Sequence, residues 1–565
     1  MNQQNLIRPV NALLSRKNHI RIKFSFSPTI LNLSVIVYLV VAFNHSLFEK
    51  IDDLHTSPGW DHALFMVSVV VLLSIIISFF LSFFTYKYIH KITLIVIIIS
   101  SSITSFYMDT FGILIDKSML QNVLETDVAE AHEILSFSLF SSVLIFGLIP
   151  ALAIIFVSVS YPSFLKGSLI NLRDILAALL LLGVIASIYY QDYASLFRNN
   201  AFIRDMAVPV NFVNATKGIV KDTLFESNQE LVTIGKDAKL GSILSNNKKR
   251  VISVLVMGET ARAENFSLNG YERNTNPNLS HLITLNFTNF SSCGTTTAIS
   301  VPCLFSKATR KQFNSAKADY TENLLDIVQR AGMPVYWIDN NSGCKEVCRR
   351  VNFIDVSKSD DLEFCTQKTS GFLKKECYDE ILVKALKKTI ASTDEDMFII
   401  LHQKGSHGPA YYLRTPNEFQ QFQPLCKTSE MQFCRQQEIV NAYDNTILYS
   451  DFVISEVIEE LHDSSEDYDS SLMYVSDHGE SLGEKGLFLH GLPYMFAPSQ
   501  QTDVPFMAWI PQSFAERFGI DIACLQSLSS EAFSHDNLFS TFLSWLNIET
   551  SEYTKDLDIF SSCRA

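Results

Sequence analysis

Residues 251–260 read VISVLVMGET, and residues 471–479 read SLMYVSDHG. Each begins with a short apolar run rich in β-branched residues, the pattern of a buried β-strand. Polar residues follow both runs: Glu259 after the first, and Asp477 with His478 after the second. Each residue alone is explained as a helix cap or surface group. Together, at the ends of two strands, the carboxylates and the imidazole favour a Zn²⁺ site with one open position.

Apolar runs alternate with helical periodicity through the second half of the chain. We predict strands at 251–257, 333–338, 397–401, 471–475 and 504–510. Helices are predicted at 321–331, 376–391, 436–462 and 535–546, the last with an N-cap signal at His535-Asp536-Asn537. This alternation predicts an α/β sandwich with a mostly parallel sheet. Ligands of such sheets bind beyond the carboxyl ends of the strands, where Asp339 and His402 are also expected.

A hydroxyl nucleophile is available in residues 291–297, which read SSCGTTT. A free hydroxyl is a weak nucleophile at neutral pH, and coordination to a divalent cation lowers its pKa. Turns and helix caps are the alternative role of such clusters. Chemistry alone leaves Thr295, Thr296 and Thr297 as candidates. With the predicted metal ligands, the cluster indicates transfer or hydrolysis of a phosphorus or sulfur ester.

Further polar residues are candidates for binding a phosphate group. Residues 340–345, NNSGCK, follow a predicted strand and contain Ser342 and Lys345, and a lysine pairs readily with a phosphate anion. His407 and His490 each stand beside a glycine. Each is interpreted either as an ordinary loop residue or as a group that neutralises phosphate oxygens or holds a second metal ion.

Long apolar stretches lie almost entirely in the first 190 residues. Five of them approach or reach the ~17–25 residues that cross a bilayer's hydrocarbon core. They are Ile30–Phe48, Ala63–Tyr86, Ile92–Met108, Phe137–Tyr161 and Leu176–Tyr190. Five in succession predict an α-helical membrane domain rather than buried helices of a soluble core. The expected domains are a transmembrane domain at 1–190, an interfacial bridging segment at 191–249 and a catalytic domain at 250–565.

Basic residues predict the orientation of these spans. The first 28 residues contain no acid, and their bases are Arg8, Arg16, Lys17, Arg21 and Lys23. Basic flanks stay on the cytoplasmic side of a membrane, so the N-terminus is expected there. With a cytoplasmic N-terminus and five spans, all residues after 190 lie on the outer side of the membrane. The sequence therefore predicts a multi-pass protein of a bacterial inner membrane with its catalytic domain in the periplasm.

All ten cysteines lie at or after Cys293, within the predicted external domain. An even, clustered set in one domain favours disulfides in an oxidising compartment. The alternative, half of a zinc finger at Cys344 and Cys348, has no second half with suitable spacing. Sequence alone leaves the connectivity open, and the preferred pairs are Cys293–Cys303, Cys344–Cys348, Cys365–Cys377, Cys426–Cys434 and, by elimination, Cys524–Cys563.

Several separated motifs resemble the phosphoethanolamine transferases, the family that decorates lipid A and includes the mobile colistin-resistance enzymes. They are GETAR at 258–262, NGY at 269–271, SCGTTTA at 292–298, SVPC at 300–303 and SDHGESLGE at 476–484. The resemblance covers nearly the whole chain. It implies five membrane helices, a bridging segment and a periplasmic domain of alkaline-phosphatase-like and sulfatase-like fold.

The resemblance also implies roles for individual residues. Thr297 matches the nucleophile that carries phosphoethanolamine, and together with Glu259, Asp477 and His478 it matches the zinc-binding set. Lys345, His407 and His490 match positions near the phosphate and near a second zinc site that the family can hold. Residues 121–130, QNVLETDVAE, match the family's lipid head-group segment. Within that segment, three residues at i, i+4 and i+8 share one helical face: Asn122, Thr126 and Glu130.

The expected reaction transfers phosphoethanolamine from phosphatidylethanolamine to lipid A through a phosphothreonine. An added ethanolamine ammonium offsets negative charge on lipid A, so resistance to polymyxin and other cationic peptides is expected. The expected partners are the donor, lipid A and membrane lipids, and the chain is expected to be a monomer. A net charge of −14 argues against a nucleic-acid partner.

The sequence leaves four alternative functions open. The first keeps the donor but uses another acceptor, such as a core sugar of lipopolysaccharide or a protein. A phosphoglycerol transferase is the second, although it predicts neither a disulfide-rich domain nor the 121–130 segment. A sulfatase is the third, but Leu304 stands where the C/S-x-P-x-R pattern that begins at Ser300 needs arginine. The last is a membrane-anchored binding protein with an inactive fold, which the retained Thr297 and zinc-ligand set disfavour.

Overall fold

The structure is a computed structural model, and it describes residues 25–55, 59–125, 134–200, 202–226, 230–245, 249–359, 361, 363–366 and 376–564. Two sets of residues used in the sequence predictions lie outside these ranges. One is the basic set within the first 24 positions, on which the predicted cytoplasmic N-terminus rests. The other is Thr126 with Glu130. The described residues form a bundle of apolar helices and an α/β domain.

The bundle and the segments that follow it are helical. Their helices are α1 (Pro28–Phe43), α2 (His45–Leu54), α3 (Trp60–Ser82), α4 (His90–Phe111), α5 (Lys117–Glu125), α6 (Phe137–Phe156), α7 (Phe164–Asn199), α8 (Ile203–Met206) and α9 (Val210–Glu226). Within the described ranges, α3, α4, α6 and α7 are long and apolar enough to cross a membrane. α1 and α2 together make a fifth candidate span, bent by 64°. The predicted stretch Leu176–Tyr190 is only part of α7, which is kinked at Tyr189.

The first predicted span is not one straight helix, because Asn44 ends α1. Asn44 leaves the helical region with φ −126° and ψ 29°. Its buried side chain donates from Nδ2 to the carbonyl oxygens of Leu39 and Val208, both at 3.0 Å, and Oδ1 accepts from Val208 N at 2.9 Å. An asparagine that bonds to backbone groups in this way competes with the helix's own hydrogen bonds. The side chain also ties the bend to the segment before α9.

A seven-stranded sheet forms the centre of the α/β domain. Its strands are β1 (Arg250–Gly258), β2 (Leu285–Phe287), β3 (Val335–Asp339), β4 (Asn352–Asp355), β5 (Met397–His402), β6 (Tyr468–Ser476) and β7 (Phe506–Trp509). Their spatial order is β2-β7-β6-β1-β5-β3-β4. β6, β1, β5, β3 and β4 are parallel, and β7 runs antiparallel to both of its neighbours, β6 and the edge strand β2. The predicted mostly parallel sheet is therefore confirmed.

Helices cover both faces of this sheet, so its central strands are buried throughout, as expected for parallel strands. The main helices are α10 (Thr297–Leu304), α11 (Leu324–Arg330), α12 (Glu380–Ile390), α13 (Gln436–Asp463) and α14 (Leu538–Trp545). α12 starts four residues later than predicted. The reason is that Glu376–Cys377 pairs as a short antiparallel strand with Cys365–Thr366.

The ten cysteines form five disulfides, all within the α/β domain. They are Cys293–Cys303, Cys344–Cys348, Cys365–Cys377, Cys426–Cys434 and Cys524–Cys563. These are the pairs that the sequence favoured. They leave no free thiol, so the zinc-finger alternative for Cys344 and Cys348 has no ligands.

Candidate active site

Glu259 and Asp477 emerge side by side at the carboxyl edge of the sheet. β1 and β6 pair in parallel with Gly258 opposite Ser476, so the residues that follow the two strands meet at this edge. The backbone then turns at Thr260, whose φ of 59° is uncommon for a residue with a branched side chain. Thr260 N donates to Asp477 Oδ1 at 3.0 Å. Such local strain is typical of functional sites.

Glu259, Asp477 and His478 are the only cluster of three or more potential metal ligands in the described ranges, and their ligand atoms all lie within 4.8 Å of one another. His478 Nε2 is 3.6 Å from Glu259 Oε1 and 3.4 Å from Asp477 Oδ2. His478 Nδ1 lies 2.9 Å from the Gly479 carbonyl oxygen, which fixes the proton on Nδ1 and leaves a lone pair on Nε2. Asp477 Oδ2 is buried and accepts no hydrogen bond from any described residue. A buried, unpaired carboxylate oxygen facing a lone pair fits a cation between them.

The pKa values of the two carboxyl groups agree with a cation site. Burial opposes ionisation of Glu259, but the His402 ring, whose Nε2 is 3.8 Å from Glu259 Oε2, holds its pKa well below the ordinary value. Burial and the negative charge of Glu259 raise the pKa of Asp477. Two crowded carboxylates resist joint ionisation unless a cation lies between them. A bound divalent ion would stabilise both in their charged forms.

Thr297 is the threonine whose hydroxyl lies in this cluster. Its Oγ1 is 3.1 Å from Glu259 Oε1 and 3.4 Å from His478 Nε2. Thr295 Oγ1 instead donates to a main-chain carbonyl oxygen at 2.6 Å. Thr296 occupies the N-cap position of α10 with an extended backbone. The geometry therefore favours Thr297 among the three candidates that chemistry alone left open, in agreement with the family resemblance.

The loop before α10 fixes the position of Thr297. Thr297 is the first residue of the helix, and a helix N-terminus favours an anion through its unpaired N–H groups and its dipole. A Cβ on Gly294 would lie 2.9 Å from Ile299 Cγ2, so a larger residue would push the loop away from the helix. The Cys293–Cys303 disulfide joins the loop to the far end of the helix.

Asn341 positions Glu259, a role that no local sequence pattern indicates. Its Nδ2 donates to Glu259 Oε2 at 2.7 Å and to the Gln403 carbonyl oxygen at 3.0 Å. Behind it, His402 Nδ1 lies 2.7 Å from Asp339 Oδ1. Burial lowers the pKa of His402, but Asp339 and Glu259 raise it to about 9. The predicted strand-end residues Asp339 and His402 thus form an ion pair that supports Glu259 from behind.

His535 connects the loop before α10 to the carboxyl end of β6, although sequence analysis placed it in an N-cap signal. Cys293 N donates to His535 Nδ1 at 3.1 Å, and His535 Nε2 donates to the Ser476 carbonyl oxygen at 3.1 Å. Ser300 Oγ lies 3.3 Å from the same Nδ1 and donates to the Asp477 carbonyl oxygen at 2.5 Å. Burial lowers the pKa of His535 to about 3, so the ring is neutral. Within the predicted N-cap signal, Asn537 occupies the N-cap position of α14, and the preceding Ser534 caps the short turn at His535–Asn537.

We expect His535→Ala to slow the reaction and to destabilise the fold. The substitution leaves buried polar groups of the loop before α10 and of the β6 end without a partner, which costs about 1–3 kcal/mol for each group. The free energy of unfolding in denaturant and the initial rate measure the two effects. His281→Ala is the matched control, because His281 is exposed on a short surface helix. Unchanged stability and rate in His535→Ala would contradict the positioning role.

His490 and His407 stand next to the ligand cluster. The ring centroid of His490 is 4.3 Å from that of His478 and 5.9 Å from that of His407. Glu480 accepts from Tyr411 Oη at 2.6 Å and lies 2.8 Å from His490 Nδ1. Burial lowers the pKa of His490, but the Glu480 carboxylate raises it to about 9. His490 therefore carries positive charge beside the cluster at neutral pH, and this charge favours the binding of a phosphate group.

Lys345 and Ala298 line a cleft of about 540 Å³ beside α10. Lys345 Nζ donates to Ser342 Oγ at 3.1 Å and to the Glu125 carbonyl oxygen at 3.3 Å. Glu125 ends α5, which also carries Asn122. The structure thus brings the first part of the predicted head-group segment to the edge of the catalytic site.

Two family profiles match the chain. The profile of the phosphoethanolamine transferase EptA/EptB family matches residues 72–224, and the sulfatase profile matches residues 252–548. The second match coincides with the α/β domain. The predicted alkaline-phosphatase-like and sulfatase-like fold is therefore confirmed.

Individual relatives match over nearly the whole chain. Phosphoethanolamine transferase EptA of Escherichia coli K12 is 36% identical over 93% of this chain and 95% of its own. Phosphatidylethanolamine transferase Mcr-1 of Escherichia coli is 36% identical over 95% and 98%. The solved integral membrane protein lipooligosaccharide phosphoethanolamine transferase A (EptA) from Neisseria meningitidis is 38% identical, covers 96% of this chain and 100% of its own, and superposes with a TM-score of 0.90. The apolar helices and the α/β domain are those of an inner-membrane protein with a periplasmic catalytic domain. The chain belongs to the phosphoethanolamine transferase family.

Proposed function

We propose that this protein transfers phosphoethanolamine from phosphatidylethanolamine to lipid A through a covalent intermediate on Thr297. The observation that carries the proposal is the position of Thr297 Oγ1, 3.1 Å from Glu259 Oε1 and 3.4 Å from His478 Nε2 at the start of α10. A hydroxyl held among potential metal ligands is placed as an activated nucleophile. The names of two relatives, a phosphatidylethanolamine transferase and a lipooligosaccharide phosphoethanolamine transferase, support the donor and the acceptor.

We propose Zn²⁺ as the metal ion, held by Glu259, Asp477 and His478 with Thr297 as the fourth ligand. Two carboxylates and one imidazole suit zinc, and the unpaired Asp477 Oδ2 fits a cation. A bound zinc ion supplies Lewis-acid chemistry, because it lowers the pKa of a coordinated hydroxyl and offsets charge on a phosphate. His407 and His490 are the residues proposed for a second ion or for the phosphate oxygens.

In the first step, Thr297 Oγ1 attacks the phosphorus atom of the donor. The bond from phosphorus to the diacylglycerol oxygen breaks, and diacylglycerol leaves with the proton that the hydroxyl gives up. Phosphoethanolamine remains on Thr297 as a phosphate diester. The N-terminus of α10 and the cationic His490 ring offset the negative charge of the phosphate oxygens.

In the second step, an oxygen of lipid A attacks the same phosphorus atom. The bond to Thr297 Oγ1 breaks, and the acceptor's proton returns to the threonine. Both substrates are lipids, so the apolar helices give the catalytic domain direct access to them at the bilayer surface. The transferred ammonium group offsets negative charge on lipid A, which weakens polymyxin binding.

We expect Lys345→Ala to lower kcat/KM by about tenfold to a hundredfold, because a charge-assisted hydrogen bond to phosphate contributes about 1.5–3 kcal/mol. Lys345 lines the cleft beside α10. The interaction that the substitution removes is therefore the one with the phosphate of the donor lipid. Steady-state kinetics with phosphatidylethanolamine vesicles measure it. Lys388→Ala is the control, since Lys388 is exposed in the last turn of α12. Equal kcat/KM in the two variants would exclude Lys345 from donor binding.

Reconstitution with labelled lipids tests the proposed donor and acceptor together. The purified full chain is mixed with vesicles of phosphatidylethanolamine labelled in the ethanolamine, and with either lipid A or a lipopolysaccharide that carries core sugars. Label in the lipid A moiety supports the proposal, and label only in core sugars establishes the alternative acceptor. Transfer from phosphatidylglycerol in place of phosphatidylethanolamine would instead support a phosphoglycerol transferase.

A further inference from the structure

Two histidines face each other at the end of the bundle where α2 finishes and α3 begins. His55 directly follows α2 and His62 lies in the first turn of α3, and their Nδ1 atoms are 3.2 Å apart. Asp52 and Asp192, the latter on α7, stand on the outer sides of the pair. Asp52 Oδ1 is 2.7 Å from His62 Nε2, and Asp192 Oδ1 is 3.8 Å from His55 Nε2. None of these four residues contacts the catalytic cluster.

The carboxylate of Asp52 determines where the His62 ring proton lies. It is 2.7 Å from Nε2, so it favours the tautomer with the proton on Nε2 and a lone pair on Nδ1. His55 Nδ1 then donates to that lone pair at 3.2 Å. A metal ion that displaces this one proton would gain one Nδ1 ligand from each ring. Asp192 lies at ion-pair distance from the other nitrogen of His55, 3.8 Å from Nε2.

The spacing and rigidity of the pair also suit a metal ion. Two imidazole nitrogens at ~2.0–2.1 Å from one tetrahedral ion are about 3.3 Å apart. The His55 ring is held by stacking on Phe65, with centroids 4.0 Å apart and planes 13° apart, and Phe65 is buried. The His62 ring is held by Asp52. Both histidine side chains keep some exposure, 13% and 25%, so water can complete the coordination.

We propose that His55 and His62 bind one late transition-metal ion, of the Zn²⁺ or Cu²⁺ type, through their Nδ1 atoms. Imidazole is the ligand that such ions share. The ion would cross-link the end of α2 to the start of α3, and through Asp192 it would connect both to α7 just beyond the Tyr189 kink. This site is separate from the catalytic zinc site and does not depend on the transfer reaction.

Copper binding by the full chain in detergent tests the site, with Cu²⁺ alone as the probe after treatment with a chelator. Wild type is expected to bind one more equivalent of Cu²⁺ than His62→Gln, and its electron paramagnetic resonance spectrum should show coupling to imidazole nitrogens that the variant lacks. His281→Gln, at an exposed histidine, should match wild type. Equal stoichiometry and identical spectra for wild type and His62→Gln would overturn the proposal.

Asp52→Asn provides a second test that keeps both ring nitrogens. Loss of a carboxylate that orients a metal-binding histidine lowers metal affinity by about 10–100-fold, so the copper titration should shift by that factor. An unchanged titration would contradict the assigned role of Asp52. This variant also decides the question if His62→Gln does not yield folded protein, because Asp52 is largely exposed and its loss leaves no buried group unpaired.

Discussion

Thr297→Ala is expected to abolish phosphoethanolamine transfer while leaving the fold intact. The substitution removes the hydroxyl that lies 3.1 Å from Glu259 Oε1, and no covalent intermediate can then form. Loss of a nucleophile lowers the rate by about 10³-fold or more. The fold should persist because alanine keeps the helix propensity of the first turn of α10. Initial rates with phosphatidylethanolamine vesicles measure the loss, and circular dichroism checks the fold.

Two further variants serve as controls for the Thr297→Ala experiment. Thr297→Ser keeps a hydroxyl at the same position, so substantial activity should return. Thr295→Ala removes a neighbouring hydroxyl that bonds to the main chain instead, and it should affect the rate far less. Intact-protein mass spectrometry after mixing with donor alone should show a phosphoethanolamine adduct in wild type and none in Thr297→Ala. An adduct that persists in Thr297→Ala would place the nucleophile elsewhere.

Asp477→Asn is expected to remove both the metal ion and the activity. Asp477 Oδ2 is buried without a hydrogen-bond donor among the described residues, and an amide in its place offers no negative charge. Loss of a residue that only hydrogen-bonds to a metal ligand lowers metal affinity by about 10–100-fold. Loss of a direct ligand should therefore lower metal affinity by at least that factor. Metal content by mass spectrometry and the transfer rate should fall together.

The matched control for this substitution is Asp467→Asn. Asp467 is exposed beside the amino end of β6, the strand whose carboxyl end leads to Asp477. It should leave metal content and rate at the wild-type level. Full metal occupancy and normal transfer in Asp477→Asn would mean that the cluster of Glu259, Asp477 and His478 is not the catalytic metal site.

The main parts of the fold were predictable because they follow from local periodicity. β1, β5 and β6 are apolar runs buried on both faces, and such runs are readable without long-range information. Their parallel arrangement then brings Glu259 and Asp477 to one edge. The edge strands β2 and β4 were missed because they are short and partly exposed, which gives little hydrophobic signal.

The remaining parts of the site depend on contacts between distant segments. His535 lies 242 residues from its partner Cys293, and Asn341 lies 82 residues from Glu259. Neither has a local pattern that distinguishes it from an ordinary loop or cap residue. The bend at Asn44 was missed for the same reason, since it depends on a bond to Val208, 164 residues away. Chemistry alone left three threonines open, whereas the family resemblance pointed to Thr297, and the distances of its Oγ1 to Glu259 and His478 agree with that choice.

The most direct test of the account is mass spectrometry of lipid A from a lipopolysaccharide-bearing host that lacks its own phosphoethanolamine transferases. The host expresses either the wild-type chain or Thr297→Ala, each confirmed in the membrane fraction. We expect a phosphoethanolamine mass increment on lipid A with the wild-type chain only, together with reduced polymyxin sensitivity. Unmodified lipid A in cells that contain the wild-type protein would contradict lipid A as the acceptor, and an equal increment with Thr297→Ala would contradict Thr297 as the nucleophile.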